Sequence, residues 1–395
     1  MTFHIIGIGN KAPNFNKEQL QIILKHHIFS GGKRHYELVK HSLPENHQWI
    51  YIQSPMSEVY KTYEKVEAPI IIFASGNPLF YGFANTLKNK YPNTEIIIEP
   101  YFSAIQLLAN ATNTNSNQLQ TVSVHGRTWK TFDVSIIQQN KLIGVLTDQE
   151  KNPAAIAKRM IDYGYTNYDI IVGEDIEGDN EKFHELSLYE AAKKEFHPLN
   201  CVLLKKKNHR VIDFGIKDKD FAGLQNRPKM ITKMPIRLLT LHLLEILNSS
   251  VFWDIGFCTG SISIEAKLKN PEVEIIAFEK RKECKAILNE NQKRFGAPGI
   301  QAIIGDFLEQ DLNKLPRPDT IFIGGHGGKL EDFFLKIQSF LKPTTTIIIN
   351  AVKENSIQQF KRSCANIEYK IITEHIITVD AHNPITLLKA KSIKN

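Results

Sequence analysis

The chain has 395 residues, 42% of them hydrophobic and 23% charged, which is typical of a globular protein with two or three domains. The net charge of +7 fits an acidic ligand, and no dense basic stripe favours nucleic acid as the partner. No run approaches the roughly 18 apolar residues of a membrane span. The four scattered cysteines contain no CxxC pair, which argues against a disulfide framework or a metal site. We therefore expect a cytoplasmic protein that binds no metal and no membrane.

Strand-like and helix-like segments alternate along the first half of the chain. A buried apolar run at Phe3–Gly9 predicts a strand, and apolar residues at helical spacing behind an Asn cap predict a helix over Asn16–Phe29. APIIIFASGNP predicts a strand entering a loop, LFYGFANTLKNKY a helix, and TEIIIEP a strand followed by a helix that begins at Ser103. The polar stretch Asn110–Gln120 predicts a joint between two lobes. This alternation predicts an α/β fold with mostly parallel sheets, here in two lobes over residues 1–208.

A second domain is predicted in the rest of the chain. Residues 209–236 have low apolar density and mixed charge, so we expect a linker and entry segment there. Over 237–395 the alternation restarts with the strand VFWDIG, a glycine loop and the helix SISIEAKLK. The glycine loops of the two halves differ in spacing, which indicates that the halves are not copies of each other.

The segment DIGFCTG (Asp254–Gly260) predicts a ligand loop between a strand and a helix, because glycines allow a tight turn and bring backbone N–H groups close to a ligand. The G-x-G-x-x-G pattern of dinucleotide enzymes is absent, since its later glycines fall on Cys258 and Ser261. The next strand ends at Glu279, whose carboxylate can accept both ribose hydroxyls of an adenosine. The third strand ends at Asp306, which can receive the adenine amino group. Together these features predict an adenosine site.

These motifs, together with MITKMPIR, AFEK, FIGGHGG and NAVKEN, resemble the class I S-adenosylmethionine-dependent methyltransferases. Among them they are most similar to the C15-methylating, decarboxylating half of the precorrin-6Y C5,15-methyltransferases of cobalamin biosynthesis. The resemblance implies a Rossmann-like domain with S-adenosylmethionine as cofactor and a precorrin or cobalt-precorrin as substrate. It assigns to the cofactor Thr232, Asp254, Gly256, Phe257, Cys258, Thr259, Gly260, Glu279 and Asp306.

The GGHGG loop is expected to face the substrate of this second domain. By the resemblance, Gly325 and His326 would contact a large flat ligand with peripheral carboxylates. Arg237 and Lys353 are candidates for holding the acetate that is lost as carbon dioxide. The sequence assigns neither of them a definite role, and it predicts no catalytic side chain, because the carbon atoms of a reduced corrin precursor are themselves nucleophilic.

The first half resembles a different family. FASGNPLFYGFA is similar to the S-G-D-P segment of the tetrapyrrole (class III) methylases, with Asn77 in place of the aspartate. GIGNK, YFSAIQLLA, VSVHGR, LTDQEKNPAAIAKRM, GEDIEGDNEKF and PLNCVLL follow in that family's order and resemble the C5-methylating half of the same corrin enzymes. The resemblance implies a cofactor cleft between two α/β lobes, and self-association into a homo-oligomer. It assigns Asn77, Phe80, Ser103 and Ala104 to S-adenosylmethionine, and His125 and Arg127 to substrate carboxylates, which arginine binds through two parallel hydrogen bonds.

Three functions stay open at this point. The first is a bifunctional corrin methyltransferase with one active site in each half. The second is an enzyme whose C-terminal half alone is catalytic, because GIGNK lacks the G-x-G-P-G ending and Asn77 replaces an aspartate in a first half that would then be a scaffold. The third is an RNA-directed methyltransferase or RNA-binding module, which fits the charge but lacks interleaved aromatic and basic residues. The sequence does not distinguish a cobalt-containing from a metal-free substrate.

Overall fold

A computed structural model of the protein describes residues 2–227, 230–380 and 383–393, which form three β-sheets with flanking helices. The chain forms two compact units. Unit 1 contains the chain up to Thr128 together with Asn140–Lys158 and Tyr168–Lys207. Unit 2 contains Trp129–Gln139, Arg159–Asn167 and the chain from Asn208 onward.

The first sheet of unit 1 is fully parallel, with strand order β3-β2-β4-β1-β5. Its central strands are continuous apolar runs, as expected for strands covered on both faces. Its strands and helices are β1 (Thr2–Ile8), α1 (Lys17–Lys25), β2 (Ile28–Gly31), α2 (Lys33–Val39), β3 (Gln48–Tyr51), α3 (Met56–Tyr63), β4 (Ile70–Ser75), α4 (Phe83–Lys90) and β5 (Glu95–Glu99).

The second sheet of unit 1 is mixed, with order β6-β7-β10-β8-β9. Only β6 and β7 pair in parallel, whereas β10 runs antiparallel to both β7 and β8, and β9 antiparallel to β8. The elements of this part of the chain are α5 (Ala104–Ala111), β6 (Leu119–Ser123), α6 (Lys130–Ile137), β7 (Leu142–Leu146), α7 (Pro153–Asp162), β8 (Tyr168–Glu174), β9 (Lys182–Ser187), α8 (Leu188–Ala191) and β10 (Asn200–Lys206).

Unit 2 contains a seven-stranded sheet of order β13-β12-β11-β14-β15-β17-β16, in which β17 runs antiparallel to both of its neighbours. The strand order reverses between β11 and β14, which is the position where doubly wound folds bind ligands. The elements are α9 (Met234–Leu243), β11 (Val251–Ile255), α10 (Ser261–Lys269), β12 (Glu274–Glu279), α11 (Glu283–Phe295), β13 (Ile300–Ile304), β14 (Thr320–Ile323), α12 (Leu330–Ile337), β15 (Thr346–Ala351), α13 (Glu354–Asn366), β16 (Tyr369–Ile377) and β17 (Ile385–Ser392).

Alternate side chains of the central strands supply two cores, one on each face of the unit 2 sheet. Phe252 and Ile275 belong to one core, and their neighbours Trp253 and Ile276 to the other. This two-residue period follows from strand geometry and fixes the register of the sheet. The α/β fold and the Rossmann-like second half are confirmed. The mostly parallel pairing predicted for both lobes of the first half holds only for the first sheet, because three of the four strand pairings in the second sheet are antiparallel.

Two predicted elements differ from the structure. The helix predicted over Asn16–Phe29 ends at Lys25, and residues Ile28–Gly31 form strand β2 instead. Burial explains the change, because Phe29 is fully buried against Phe73 of β4. The segment 209–236, predicted as a linker, places Ile216 and other apolar side chains in the core of unit 2. Ile216, Phe221 and Leu224 are buried there, whereas Val211 and Phe214 are exposed, so a low apolar density was a poor sign of a free linker.

Candidate functional site

Unit 1 contains a cavity of about 830 Å³ at the carboxyl ends of the parallel strands β1 and β4. Residues that follow β6, β7 and β8 complete its wall, so both sheets of unit 1 contribute to it. All six residues that the sequence assigns to cofactor or substrate in this half line the cavity, namely Asn77, Phe80, Ser103, Ala104, His125 and Arg127.

The loop after β4 is shaped by local hydrogen bonds. Gly76 has a φ of +60°, a left-handed conformation that glycine adopts without cost. The side-chain oxygen of Asn77 accepts a hydrogen bond from the backbone N–H of Leu79 at 2.9 Å. This turn is available to asparagine and aspartate alike, so the replacement of aspartate by Asn77 preserves the shape of the loop.

Ser103 and Ala104 begin helix α5 at the wall of the cavity. The Ser103 hydroxyl accepts a hydrogen bond from the backbone N–H of Gln106 at 3.3 Å, and the Gln106 side chain accepts from the Ser103 N–H at 2.9 Å. These two bonds form a capping box, which gives Ser103 a structural role besides any contact with a ligand. The buried Cys201 thiol donates to the Ala104 carbonyl at 3.5 Å.

The HGR turn presents one imidazole and one guanidinium to the cavity. His125 Nδ1 lies 2.9 Å from the carbonyl oxygen of Thr147, which only accepts, so Nδ1 carries the proton and Nε2 is left for a ligand. The Arg127 guanidinium lies 4.9 Å from the ring centroid of Tyr81. Asp148 accepts the Gly126 N–H at 3.0 Å and holds the turn in place.

Sequence reasoning missed a second polar group in this cavity. Arg34, His35 and Ser75 also line it. Arg34 and His35 lie in the first turn of helix α2, which follows strand β2, and the helix predicted from the sequence overlapped the first half of that strand. The motif GGKRH after a buried apolar stretch was the available signal, since glycines that end a parallel strand often precede a ligand loop.

In unit 2 the DIGFCTG loop lies between β11 and α10, at the point where the strand order reverses. Three of its residues, Gly256, Cys258 and Gly260, have φ values of +84°, +52° and +75°. Cys258 adopts this left-handed conformation as a non-glycine residue, and its thiol donates to the carbonyl of Met230 at 3.1 Å. The sharp turn leaves backbone N–H groups at the start of α10, where they are suited to a polar ligand.

The loop touches the GGHGG segment backbone to backbone. A Cβ on Gly256 would lie 2.7 Å from the nitrogen and 2.9 Å from the oxygen of Gly325. Gly325 itself is exposed and has open space where a side chain would be. His326 is half-buried, and burial lowers the pKa of its imidazole, so the ring is neutral at pH 7. Both residues proposed for substrate therefore lie at the edge of the sheet that carries the ligand loop.

We expect the Gly256→Ala variant to lose the binding of S-adenosylhomocysteine in unit 2 and to unfold at a lower temperature than the wild type. The methyl group would collide with Gly325 and force a left-handed conformation, which together cost about 1–3 kcal/mol or more. The measurement is calorimetric titration with S-adenosylhomocysteine together with thermal unfolding. Gly223→Ala is the matched control, because nothing lies within 4 Å of a Cβ there. Unchanged binding and melting in Gly256→Ala would contradict the expectation.

The side chains of Phe257 and Thr259 in this loop are buried. Phe257 belongs to the core of unit 2, and its backbone N–H donates to the carbonyl of Phe278 while its own carbonyl accepts from Gly260. The Thr259 hydroxyl has no hydrogen-bond partner among the described residues, although it is buried. A buried unpaired hydroxyl beside a ligand loop suits a polar ligand group.

Asp254 is fully buried at the end of β11. One carboxylate oxygen accepts the Ser263 hydroxyl at 2.5 Å, and the other has no partner within the described part of the chain. Burial raises the pKa of Asp254 to about 7, against the hydrogen bond from Ser263 and with a smaller contribution from the negative Glu279. The carboxyl group therefore takes up a proton near neutral pH.

Glu279 ends β12 and is surrounded by donors. It accepts the backbone N–H groups of Cys258 at 3.0 Å and Lys280 at 2.8 Å. It also forms a bidentate pair with Arg281, at 3.0 Å to Nε and 2.7 Å to Nη2. Burial would raise the pKa of Glu279, but the bonds from Arg281 and the backbone outweigh it and lower the pKa. The carboxylate is charged, and the Arg281 guanidinium occupies the oxygens that a ribose would need.

Asp306 ends the neighbouring strand β13 and is more exposed. Its carboxylate accepts from Lys280 Nζ at 3.0 Å and from the backbone N–H of Leu308 at 3.1 Å. The hydrogen bond from Lys280, followed by that from Leu308, lowers the pKa of Asp306. Glu279 and Asp306 thus lie at the same edge of the sheet as the DIGFCTG loop.

The segment before α9 is organised by Arg237. The guanidinium donates to Glu265 at 2.6 Å, to Asp218 at 3.1 Å and to the carbonyl of Thr232 at 2.6 Å. Arg237 is fully buried, so its candidacy for holding a substrate acetate is wrong in this conformation. Thr232 is half-buried and contributes its carbonyl to this network, and the exposed Lys353 occupies the N-cap position of α13 without a capping hydrogen bond from its side chain.

Residues 225–385 match a protein family described as the precorrin methyltransferase domain. A relative from Sinorhizobium, named precorrin-6Y C(5,15)-methyltransferase [decarboxylating], is 29% identical over 88% of this chain and 84% of its own length. A relative from Salmonella typhimurium, named cobalt-precorrin-6B C(15)-methyltransferase (decarboxylating), is 30% identical over 38% of this chain and 77% of its own length. The chain belongs to the precorrin methyltransferase family.

As a precorrin methyltransferase the protein is an enzyme whose methyl donor is S-adenosylmethionine. A crystal structure of a precorrin-6Y C5,15-methyltransferase from Geobacter metallireducens is 31% identical, covers 45% of this chain and 97% of its own, and has a TM-score of 0.42. None of the helices within the described ranges is long and apolar enough to cross a membrane. The residue assignments of the precorrin methyltransferase, its domain boundaries and its self-association stay predictions.

Proposed function

We propose that this precorrin methyltransferase methylates one substrate twice, at C5 in unit 1 and at C15 in unit 2, and that the second step removes the ring C acetate as carbon dioxide. The substrate class is precorrin-6Y or its cobalt counterpart. One observation carries the proposal: the six residues assigned to the first half line a single cavity of about 830 Å³ in unit 1, whereas the DIGFCTG loop belongs to unit 2. The alignment of the Sinorhizobium relative over 88% of the chain supports a fused, two-component enzyme.

In unit 2 the residues fit an adenosyl ligand, provided that Arg281 moves. Glu279 is a charged acceptor for two ribose hydroxyls, and Asp306 offers carboxylate oxygens to the adenine amino group. The backbone of Gly256–Gly260 would lie along the ligand, with the first backbone N–H groups of α10 as donors to it. When bound, S-adenosylmethionine supplies an electrophilic methyl group, and the chain has only to hold it in line with the accepting carbon.

In unit 1 the cavity is lined both by side-chain donors and by the start of helix α5. Arg127 and His125 are suited to substrate carboxylates, and the loop at Asn77–Phe80 together with Ser103–Ala104 is suited to the cofactor. Bidentate contacts to a carboxylate fix both the position and the angle of a macrocycle. Orientation of this kind contributes about 7–11 kcal/mol to catalysis in favourable cases.

Neither half needs a covalent nucleophile on the protein, because the accepting carbon is part of an electron-rich macrocycle. For the decarboxylation, the ring system accepts the electron pair that the departing carbon dioxide leaves behind. The role left to the chain is to exclude water and to hold the acetate.

Incubation of the full chain with precorrin-6Y and isotopically labelled S-adenosylmethionine tests the proposal. We expect mass spectrometry to show two labelled methyl gains and the loss of one carbon dioxide. A product with one methyl gain and loss of carbon dioxide would favour a scaffold role for the first half. A product with no methyl gain, from either precorrin-6Y or its cobalt form, would contradict the proposal.

A further inference from the structure

Arg34 has donors to spare on the wall of the unit 1 cavity. Its guanidinium donates to the side-chain oxygen of Asn10 at 2.7 Å and to the Ser75 hydroxyl at 2.8 Å. A guanidinium has five N–H donors. These two contacts use two of them, so others are left to bind a ligand in the cavity. No carboxylate within the described part of the chain forms an ion pair with Arg34, and the attraction of Asp175, which binds Asn10, acts on it from a longer distance.

The partners of Ser75 determine where its proton points. His35 Nδ1 accepts the Gly32 backbone N–H at 3.2 Å, and His35 Nε2 lies 2.8 Å from the Ser75 oxygen. A backbone N–H only donates, so Nδ1 is unprotonated and Nε2 carries the proton of a neutral ring. Burial, followed by the positive charge of Arg34, lowers the pKa of His35 to about 4, in agreement with that tautomer.

Ser75 therefore accepts two hydrogen bonds, one from Arg34 and one from His35. Its own hydroxyl proton is left to donate elsewhere, and Ser75 is an exposed residue at the carboxyl end of β4 that lines the cavity. Asn10 is held in turn by Asp175, whose carboxylate accepts from the Asn10 amide. Arg34 and Ser75 thus present hydrogen-bond donors to the cavity, and the hydrogen bonds to Asn10 and from His35 fix the direction of these donors.

We propose that Arg34 and Ser75 form a carboxylate-binding subsite of the unit 1 cavity, with His35 and Asn10 as positioning residues. The inference deepens the proposed function, on which it rests for the identity of the ligand. Two ligands carry the required group: the tetrapyrrole, through a peripheral acetate or propionate, and the cofactor, through its methionine carboxylate. Arg34 follows strand β2 of the first sheet, whereas Arg127 follows β6 of the second, so the two guanidinium groups reach the cavity from different elements.

The test compares Arg34→Gln with Lys33→Gln, which removes one charge from the neighbouring exposed residue outside the cavity lining. Binding to the full chain is measured by calorimetry with three probes: S-adenosylhomocysteine, 5′-methylthioadenosine, which lacks the carboxylate, and uroporphyrin III, which carries carboxylates around its ring. A lost charge-assisted hydrogen bond weakens binding by about tenfold to a hundredfold.

If Arg34→Gln weakens one class of S-adenosylhomocysteine sites and leaves methylthioadenosine unchanged, the subsite binds the cofactor carboxylate. If it weakens uroporphyrin III alone, the subsite binds the tetrapyrrole. Ser75→Ala should weaken the same probe by a smaller factor, which covers the case in which Arg34→Gln does not fold. Affinities equal to those of Lys33→Gln for all three probes would overturn the inference.

These binding experiments need no turnover, which separates the inference from the proposed function. Two methyl gains in the wild type with no effect of Arg34→Gln on any probe would remove the subsite and keep the bifunctional enzyme. No methyl gain at C5 with an effect of Arg34→Gln on binding would keep the subsite and remove the C5 reaction.

Discussion

Replacing Glu279 with alanine is expected to abolish the second methylation and the loss of carbon dioxide, while the first methylation continues. The carboxylate is buried, charged and aimed by the backbone N–H groups of Cys258 and Lys280. Two hydrogen bonds from ribose hydroxyls to a charged acceptor contribute about 1.5–3 kcal/mol each. Their loss weakens cofactor binding by roughly two to four orders of magnitude. Mass spectrometry of the product and calorimetry with S-adenosylhomocysteine measure the two effects.

Glu272→Ala is the matched control for Glu279→Ala. Glu272 is exposed and lies just before the amino end of β12, whereas Glu279 lies at the carboxyl end of the same strand. The control removes the same charge from the opposite edge of the sheet and should leave both reactions unchanged. A Glu279→Ala protein that still completes the second methylation would contradict the assignment, and one that loses both methylations would show that the halves do not act independently.

Arg281 affects how a ribose could bind to Glu279. Its guanidinium pairs with both oxygens of Glu279, and its other nitrogen lies 2.7 Å from the Met230 sulfur. A ribose can reach Glu279 only when this pair opens, so part of the binding free energy is used to break it. An adenosine bound there would have to compete with a charged side chain two residues further along the chain, a contact that no sequence motif indicates.

The parts of the fold that the sequence predicted well are those with long apolar runs. Phe3–Gly9 and VFWDIG are buried on both faces, so hydrophobicity alone marks them as central strands. Strand β2 was missed because Ile28–Gly31 is short and directly follows an amphipathic helix, where helical periodicity continues by chance into Phe29. Tertiary burial against Phe73, which is distant in sequence, decides its conformation.

In the candidate sites, too, the sequence predicted some features and missed others. Backbone features such as the left-handed Gly256 follow from the residue type and its position after a strand, so the motif located them. Side-chain direction did not follow from the motif: Phe257 turns into the core, and Arg237 is enclosed by acidic partners. The group at Arg34 was overlooked because its ligand-facing position depends on the missed strand β2.

Arg237→Met is expected to destabilise unit 2 by about 3–5 kcal/mol, the cost of removing one partner from a buried ion pair. Arg237 is fully buried and Glu265 nearly so, and their side chains are 2.6 Å apart. The variant leaves the Glu265 carboxylate with the Ile216 N–H, at 3.1 Å, in place of a positive charge. Urea denaturation followed by tryptophan fluorescence measures the loss, because Trp253 is fully buried in unit 2.

Two further variants separate the buried pair from a direct role in catalysis. Arg317→Met removes an exposed charge from unit 2 and should change the free energy of unfolding by no more than about 0.5 kcal/mol. The double variant Arg237→Met with Glu265→Gln removes the uncompensated carboxylate and should recover part of the stability. If Arg237→Met kept wild-type stability and lost only the release of carbon dioxide, the residue would instead hold the substrate acetate, in a conformation that opens this network.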